Sequence, residues 1–212
     1  GNTRAAIGLG EDGSPAIHLF DAGDQPRMQL ALEASGATNV KLLDANSFEN
    51  HVCHMAPRRH LVPEFEKAGI PVHSVVSSGP GVFAKRLYKV RKLARQLGID
   101  LIHTTNAEAW LIGGLAGKTL GIPVIATLNN TAYEESWLVD NPHLNRFKLW
   151  YSKTRTEIAL KRFCTSFVAI SQYVKQSHVE QMGINPDDIA VVYRGADQEF
   201  FDPPTGDLEA LK

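Results

Sequence analysis

One feature constrains the fold of this chain more than any other. Short β-rich apolar runs recur along it, and none shows strict polar alternation. They fall at Ala16–Phe20, Val40–Leu43, Val72–Val76, Leu101–Thr104, Val124–Leu128, Phe167–Ile170 and Ile189–Tyr193. A strand that shows one face to water alternates polar and apolar residues, whereas a strand buried on both faces reads as a continuous apolar run. Between the runs lie longer segments of helical period. Val82–Leu97 places Phe83, Leu87, Val90, Ala94 and Leu97 at steps of four and three, and Gly98 follows as a cap. Ala107–Leu120 is rich in small residues and closes at Gly121-Ile122-Pro123, a helix stop followed by a strand start. Leu144–Phe163 is a long, partly basic helix, and Gln172–Met182 ends at Gly183. Strands that alternate with helices predict an α/β fold, here a doubly wound, Rossmann-like parallel sheet of roughly seven strands.

The domain expected from this pattern spans residues 15–202. Residues 1–14, rich in Gly and polar groups, read as a flexible N-terminal arm. Residues 203–212 leave the sheet through Pro203-Pro204 and read as the start of a linker toward a second domain. The formal net charge of −1 gives no bulk attraction to nucleic acid or acidic lipid. Two cysteines in 212 residues suit free thiols in a reducing compartment, and no apolar run approaches a membrane span. With no leader visible, the expected location is cytoplasmic. The basic side of Val82–Leu97 adds the expectation of a peripheral contact with the inner face of the membrane.

Three motifs resemble sites and are better explained otherwise. Gly8–Gly13 fits G-x-G-x-x-G, but Ser14-Pro15 and a strand follow it, so no helix N-terminus faces a pyrophosphate. Gly113–Thr119 resembles a phosphate loop but is one residue short and lies within a helix. There Gly113, Gly114, Ala116 and Gly117 would instead allow close packing on the sheet. Among His51, Cys53, His54 and His60, the pair His54 and His60 fits an H-x5-H spacing, but Cys53 has no cysteine partner nearby and no second ligand pair stands out, so the stretch reads as an irregular loop with exposed imidazoles. No metal is expected.

In an open parallel sheet, ligands bind outside the carboxyl ends of the strands. That rule selects Gly23 after the first run. After the fourth it selects His103, Thr104 and Asn106, and after the fifth Asn129, Asn130 and Glu134. After the seventh it selects Arg194. Amides, hydroxyls and carboxylates suit a hydroxyl-rich ligand, because each can donate to or accept from an O–H. Any one Asn or Thr at such a place also makes a good turn; four strand ends carrying such groups together favour a site.

From about Asp100 to Pro203 the chain resembles a known family. The segments "DLIHTTNAEAWLIGGLAGKTLGIPVIATLNN" and "FVAISQYVKQSHVEQMGINPDDIAVVYRGADQEFFDP" are similar to the N-terminal half of a retaining glycosyltransferase of family 4 with the GT-B fold. "EFEKAGIPVHSV" is in character upstream. The resemblance implies an acceptor-binding domain, with the nucleotide-sugar held mainly by a second domain through a glutamate pair. It implies no cofactor and no divalent metal. The parent would be a hexosyltransferase-like enzyme, and this stretch alone would be inactive. The expected partners are a nucleotide-sugar and a hydroxyl acceptor, not nucleic acid. Asn129 stands where the family often has a catalytic histidine, and Arg194 where it has the asparagine of "NGvD". Asparagine can bond a sugar hydroxyl but cannot titrate near neutrality. The competing expectation is a stand-alone sugar- or nucleotide-binding module without catalysis.

Overall fold

A computed structural model describes the backbone of residues 4–9, 15–20 and 27–33, together with residues 48–57, 62–132 and 145–193. The elements in chain order are β1 (Arg4–Leu9), β2 (Pro15–Phe20), β3 (Arg27–Glu33), β4 (Phe48–His54), α1 (Val62–Lys67), β5 (Val72–Ser74) and α2 (Val82–Leu97). They continue with β6 (Leu101–Thr104), α3 (Ala107–Leu120), β7 (Val124–Leu128), α4 (Arg146–Phe163), β8 (Ser166–Ala169), α5 (Gln172–Met182) and β9 (Ile189–Val191).

The main sheet runs β5-β4-β3-β6-β7-β8-β9, and every neighbouring pair is parallel. The order proceeds outward from β3 in one direction and then from β6 in the other. The direction of winding therefore reverses between β3 and β6, which is the topological switch point of a doubly wound sheet.

The strands that build this sheet differ from those expected. The run at Ala16–Phe20 is a strand, but it pairs antiparallel with β1 in a separate two-stranded sheet, Ile7 opposite Ile17. The reason is the short connection. Parallel neighbours need a crossover of about a dozen residues, whereas a few residues suffice for an antiparallel pair. The segment 1–14, expected as an open arm, thus contains β1. The central strand β3, Arg-Met-Gln-Leu-Ala-Leu-Glu, was not expected, since it is built largely of helix formers. It pairs on both sides, with β4 and with β6, and tertiary pairing overrides its local preference. The expected loop around His51 is β4, with His51, Val52 and Cys53 all buried. The run at Val40–Leu43 and the linker at 203–212 lie outside the described residues.

Helices α2, α3 and α5 span the ranges read from the sequence, and α4 starts two residues later. Each of α2, α3 and α5 ends on a glycine with positive φ: Gly98 at 66°, Gly121 at 73° and Gly183 at 60°. Helix α3 is the keystone of the layer. Its residues belong to a core shared with α2, β4 and β6, and to a second core shared with α4, α5, β7 and β8. The glycines of the phosphate-loop lookalike make this fit possible. A methyl group on Gly114 would lie 2.7 Å from Phe163 Cβ, and one on Gly117 would collide with Val124 Cγ2 and lie 2.8 Å from the Ile122 carbonyl.

Candidate functional site

The carboxyl ends of β6 and β7 lie side by side next to the switch point. Thr105 and Asn106 follow β6; Asn129 and Asn130 follow β7. Asn129 Nδ2 donates to the Thr105 carbonyl at 2.9 Å, so the first amide of the pair joins the two strand ends. Asn106 is the N-cap of α3, and its Oδ1 accepts from the Ala109 amide at 3.0 Å. That bond satisfies one of the donors left free at a helix start. Asn130 is exposed.

These groups border a cavity of about 230 Å³, lined by Thr105, Asn106, Ala107, Trp110, Asn129, Asn130, Thr131, Ala132, His178 and Met182. The sequence-selected residues that meet there are Asn106, Asn129 and Asn130. His103 and Thr104 do not line it. Thr104 is fully buried and its hydroxyl donates to the Ile125 carbonyl at 3.0 Å. The β6 alternation turns His103 to the other side of the sheet, where its Nε2 meets Thr127 Oγ1 on β7 at 2.5 Å. Burial lowers the His103 imidazole from 6.5 to about 4, so it is neutral at pH 7. Gly23, Glu134 and Arg194 lie outside the described residues.

The residues that sequence reasoning missed come from the helices. Trp110 lies one turn inside α3, four positions after Asn106. It is buried, and its indole Nε1 has no hydrogen-bond partner among the described residues. His178 is buried on α5, seven positions after the N-cap Ser171, and its Nδ1 faces the Val174 carbonyl at 3.0 Å. Burial lowers its pKa, and that backbone bond partly opposes the shift. A neutral ring that donates from Nδ1 keeps a lone pair on Nε2. The α5 periodicity, with Val174, Ser177, His178 and Met182 buried, was the signal that could have found it. Ser177 Oγ accepts from the Ala132 amide at 3.0 Å and ties the loop after β7 to α5.

Other reactive groups are accounted for elsewhere. Cys53 and Cys164 are free, and burial raises both thiols to about 12, which suppresses nucleophilic thiolate. His51 Nδ1 meets His73 Nε2 at 3.1 Å. Among the described residues, no group of three or more His, Cys, Asp or Glu could hold a metal ion. The cavity therefore offers amides, an indole donor and an imidazole lone pair beside apolar Ala107, Ala132 and Met182. These groups can orient hydroxyls, but they include no carboxylate and no cysteine thiol.

Residues 38–200 match the family model Glycosyltransferase Family 4. The chain belongs to that family. An Escherichia coli UDP-Gal:alpha-D-GlcNAc-diphosphoundecaprenol alpha-1,3-galactosyltransferase is 26% identical over 128 residues, which cover 59% of this chain and 31% of the relative. Among solved structures, a glycosyltransferase from Rickettsia africae ESF-5 superposes with a TM-score of 0.62 at 24% identity, over 88% of this chain and 48% of that one. Anabaena Alr3699/HepE in complex with UDP-glucose superposes with a TM-score of 0.62 at 20% identity, over 84% of this chain and 47% of that one. The chain thus spans less than half the length of these relatives, and its fold is that of an N-terminal GT-B-type domain.

Proposed function

We propose that this chain is the acceptor-binding domain of a glycosyltransferase that moves a sugar from a nucleotide-sugar to an acceptor hydroxyl with retention at the anomeric carbon. The observation that carries this reading is the cavity at the β6 and β7 ends, next to the switch point of a family 4 domain. The relatives support it: Anabaena HepE is seen in complex with UDP-glucose, and the Escherichia coli galactosyltransferase is named for UDP-Gal. The nucleotide-sugar is bound mainly by a second domain outside these 212 residues, so the chain alone does not turn over. It uses no cofactor or metal of its own, and its place is the cytoplasm.

In the reaction, the bond from anomeric carbon to diphosphate oxygen breaks and the diphosphate leaves with the electron pair. The acceptor oxygen forms the new bond and gives its proton to an oxygen of the departing diphosphate. The transition state carries oxocarbenium-like positive charge. This domain contributes position. Asn106, Asn129 and Asn130 sit on the rim where an acceptor hydroxyl would approach, and a well-oriented nucleophile gains much of the rate. Asn129 cannot take the acceptor proton. The neutral His103 is held under the sheet by Thr127 and does not replace it. Gly23, Glu134 and Arg194 belong to the same proposal: Gly23 and Glu134 at the acceptor, Arg194 facing the diphosphate.

Peripheral contact with an anionic membrane through α2 is a second part of the reading. Tyr88, Arg91, Lys92 and Arg95 line a groove on its surface. The structure limits that face, because Lys85, Arg86 and Lys89 bond the carbonyls of Ser78, Ser77 and Val76, and Arg86 also pairs with Glu108. No helix among the described residues is long and apolar enough to cross a membrane.

The test is turnover by the full-length parent on a panel of nucleotide-sugars. Nucleoside diphosphate release that depends on added acceptor is expected. Tight binding of sugars or nucleotides with no turnover would replace this reading with a binding module.

A further inference from the structure

The cavity at the ends of β6 and β7 holds a group that neither the packing nor the transfer step uses. His178 on α5 is 1% exposed and lines the cavity together with Trp110, Asn129 and Asn130. Its Nδ1 lies 3.0 Å from the Val174 carbonyl, one turn earlier on the same helix. A carbonyl only accepts, so Nδ1 carries the proton and donates. Burial holds the ring below the usual 6.5 and the Val174 bond opposes that only in part, so the ring is neutral at pH 7. Its lone pair is then on Nε2.

A residue that served the core alone would not need that lone pair. The rest of the buried side of α5 is Val174, Ser177 and Met182. In an α-helix the Val174 carbonyl already accepts from the amide four residues on, so the side-chain bond adds little to the helix. Leu or Met would fill the space with no polar atom to satisfy, whereas a buried acceptor without a partner costs about 1–3 kcal/mol. A donor in the cavity removes that cost. Trp110, on the same cavity, leaves its indole N–H without a partner among the described residues. The wall thus carries an acceptor and a donor, the two kinds of group that a hydroxyl bonds. Ser177, next to His178, accepts from the Ala132 amide, so α5 also anchors the segment that follows Asn129 and Asn130. The cavity, at about 230 Å³, is smaller than the ~300–1,000 Å³ of whole ligand sites, so it takes in one unit of a ligand.

We propose that His178 is a specificity-determining residue for the acceptor: its Nε2 accepts a hydrogen bond from a hydroxyl that does not react, and so selects acceptor units with a second hydroxyl over monohydric alcohols. This rests on the acceptor-binding reading above and deepens it. The imidazole takes no proton in the reaction; it holds the acceptor in one orientation. A site built to bond a hydroxyl rejects an analogue that lacks it, because its own polar group is then left unpaired.

The experiment measures binding of the methyl glycosides of glucose, galactose and N-acetylglucosamine, and of their monodeoxy analogues, to the 212-residue chain and to its His178→Asn and His178→Gln variants. Asparagine places an amide where Nδ1 was and can keep the Val174 bond; glutamine reaches the place of Nε2 and presents an oxygen there. The wild chain should bind at least one glycoside, the asparagine variant should bind it about tenfold more weakly or worse, and glutamine should restore most of the loss. One monodeoxy analogue should bind the wild chain about tenfold more weakly than its parent sugar, yet bind the asparagine variant as that sugar does, since the lost hydroxyl and the lost acceptor are one interaction. In nitrogen-15 histidine-labelled protein the free ring should be protonated at Nδ1, and Nε2 should be the nitrogen that shifts on binding. Equal binding by the wild and asparagine chains overturns the proposal. So does an equal loss in both variants, which marks a structural role, and so does a ring protonated at Nε2. If the wild chain binds none of the glycosides, the acceptor-binding reading falls as well; binding that ignores His178 leaves that reading standing.

Discussion

The two amides after β7 divide their work. Asn129 spends its NH₂ on the Thr105 carbonyl and fixes the spacing of two strand ends, while Asn130 is exposed at the cavity rim. His103 shows how far position alone can mislead. It stands at the end of β6, as a ligand contact should, yet the pleat turns it away from the cavity and toward Thr127. What separates Asn106 from His103 is the end of the strand: β6 stops at Thr104, and Thr105 and Asn106 beyond it line the cavity. The buried imidazole has a measurable consequence. Its folded pKa, about 4, lies below the unfolded 6.5, so the unfolded chain takes up the proton first as pH falls. Stability is full above pH 6.5 and declines toward pH 4. The His103 contribution to that loss is about 2 kcal/mol by pH 5. Urea melts at pH 7 and pH 5 should show a smaller pH dependence for His103→Gln than for the wild chain; identical slopes would exclude His103 as the titrating group.

Among the elements, helices α2 to α5 were legible, whereas α1 and the strands β1, β3 and β4 were not. Helices α2, α3 and α5 carry a 3.6-residue period and close on glycines that adopt positive φ, so pattern and punctuation agree. β3 carries Met, Gln, Leu and Glu, and nothing local marks it as extended. Its state comes from pairing with β4 and β6 at once, which no local window contains. β4 was hidden by its histidines, of which His51 is buried and bonded to His73 on β5. At α3 the small residues had two readings, and the packing decides between them. Gly117 faces Val124 and the Ile122 carbonyl with no room for a methyl group. Gly117→Ala should destabilise the chain by about 1–3 kcal/mol through overpacking, seen as a lower urea midpoint with unchanged slope. Little or no loss would mean that α3 can move off the sheet freely.

For the whole molecule, the alternation of elements predicted a parallel doubly wound sheet, and the strand order shows the reversal that such a sheet requires. The hairpin of β1 and β2 lay beyond that logic, because an apolar run does not reveal which sheet it will join. Half of the cavity was legible as strand-end amides. The other half, Trp110 and His178, comes from helices whose approach to those ends is a property of the assembled layer. The central claim is that this cavity holds the acceptor. The most direct measurement is steady-state kinetics of the full-length parent with Asn130→Ala and Trp110→Phe, varying acceptor and nucleotide-sugar separately. The account predicts that kcat/KM for the acceptor falls at least tenfold in each variant, while KM for the nucleotide-sugar stays unchanged. Unaltered acceptor kinetics, or a loss confined to the nucleotide-sugar, would contradict it.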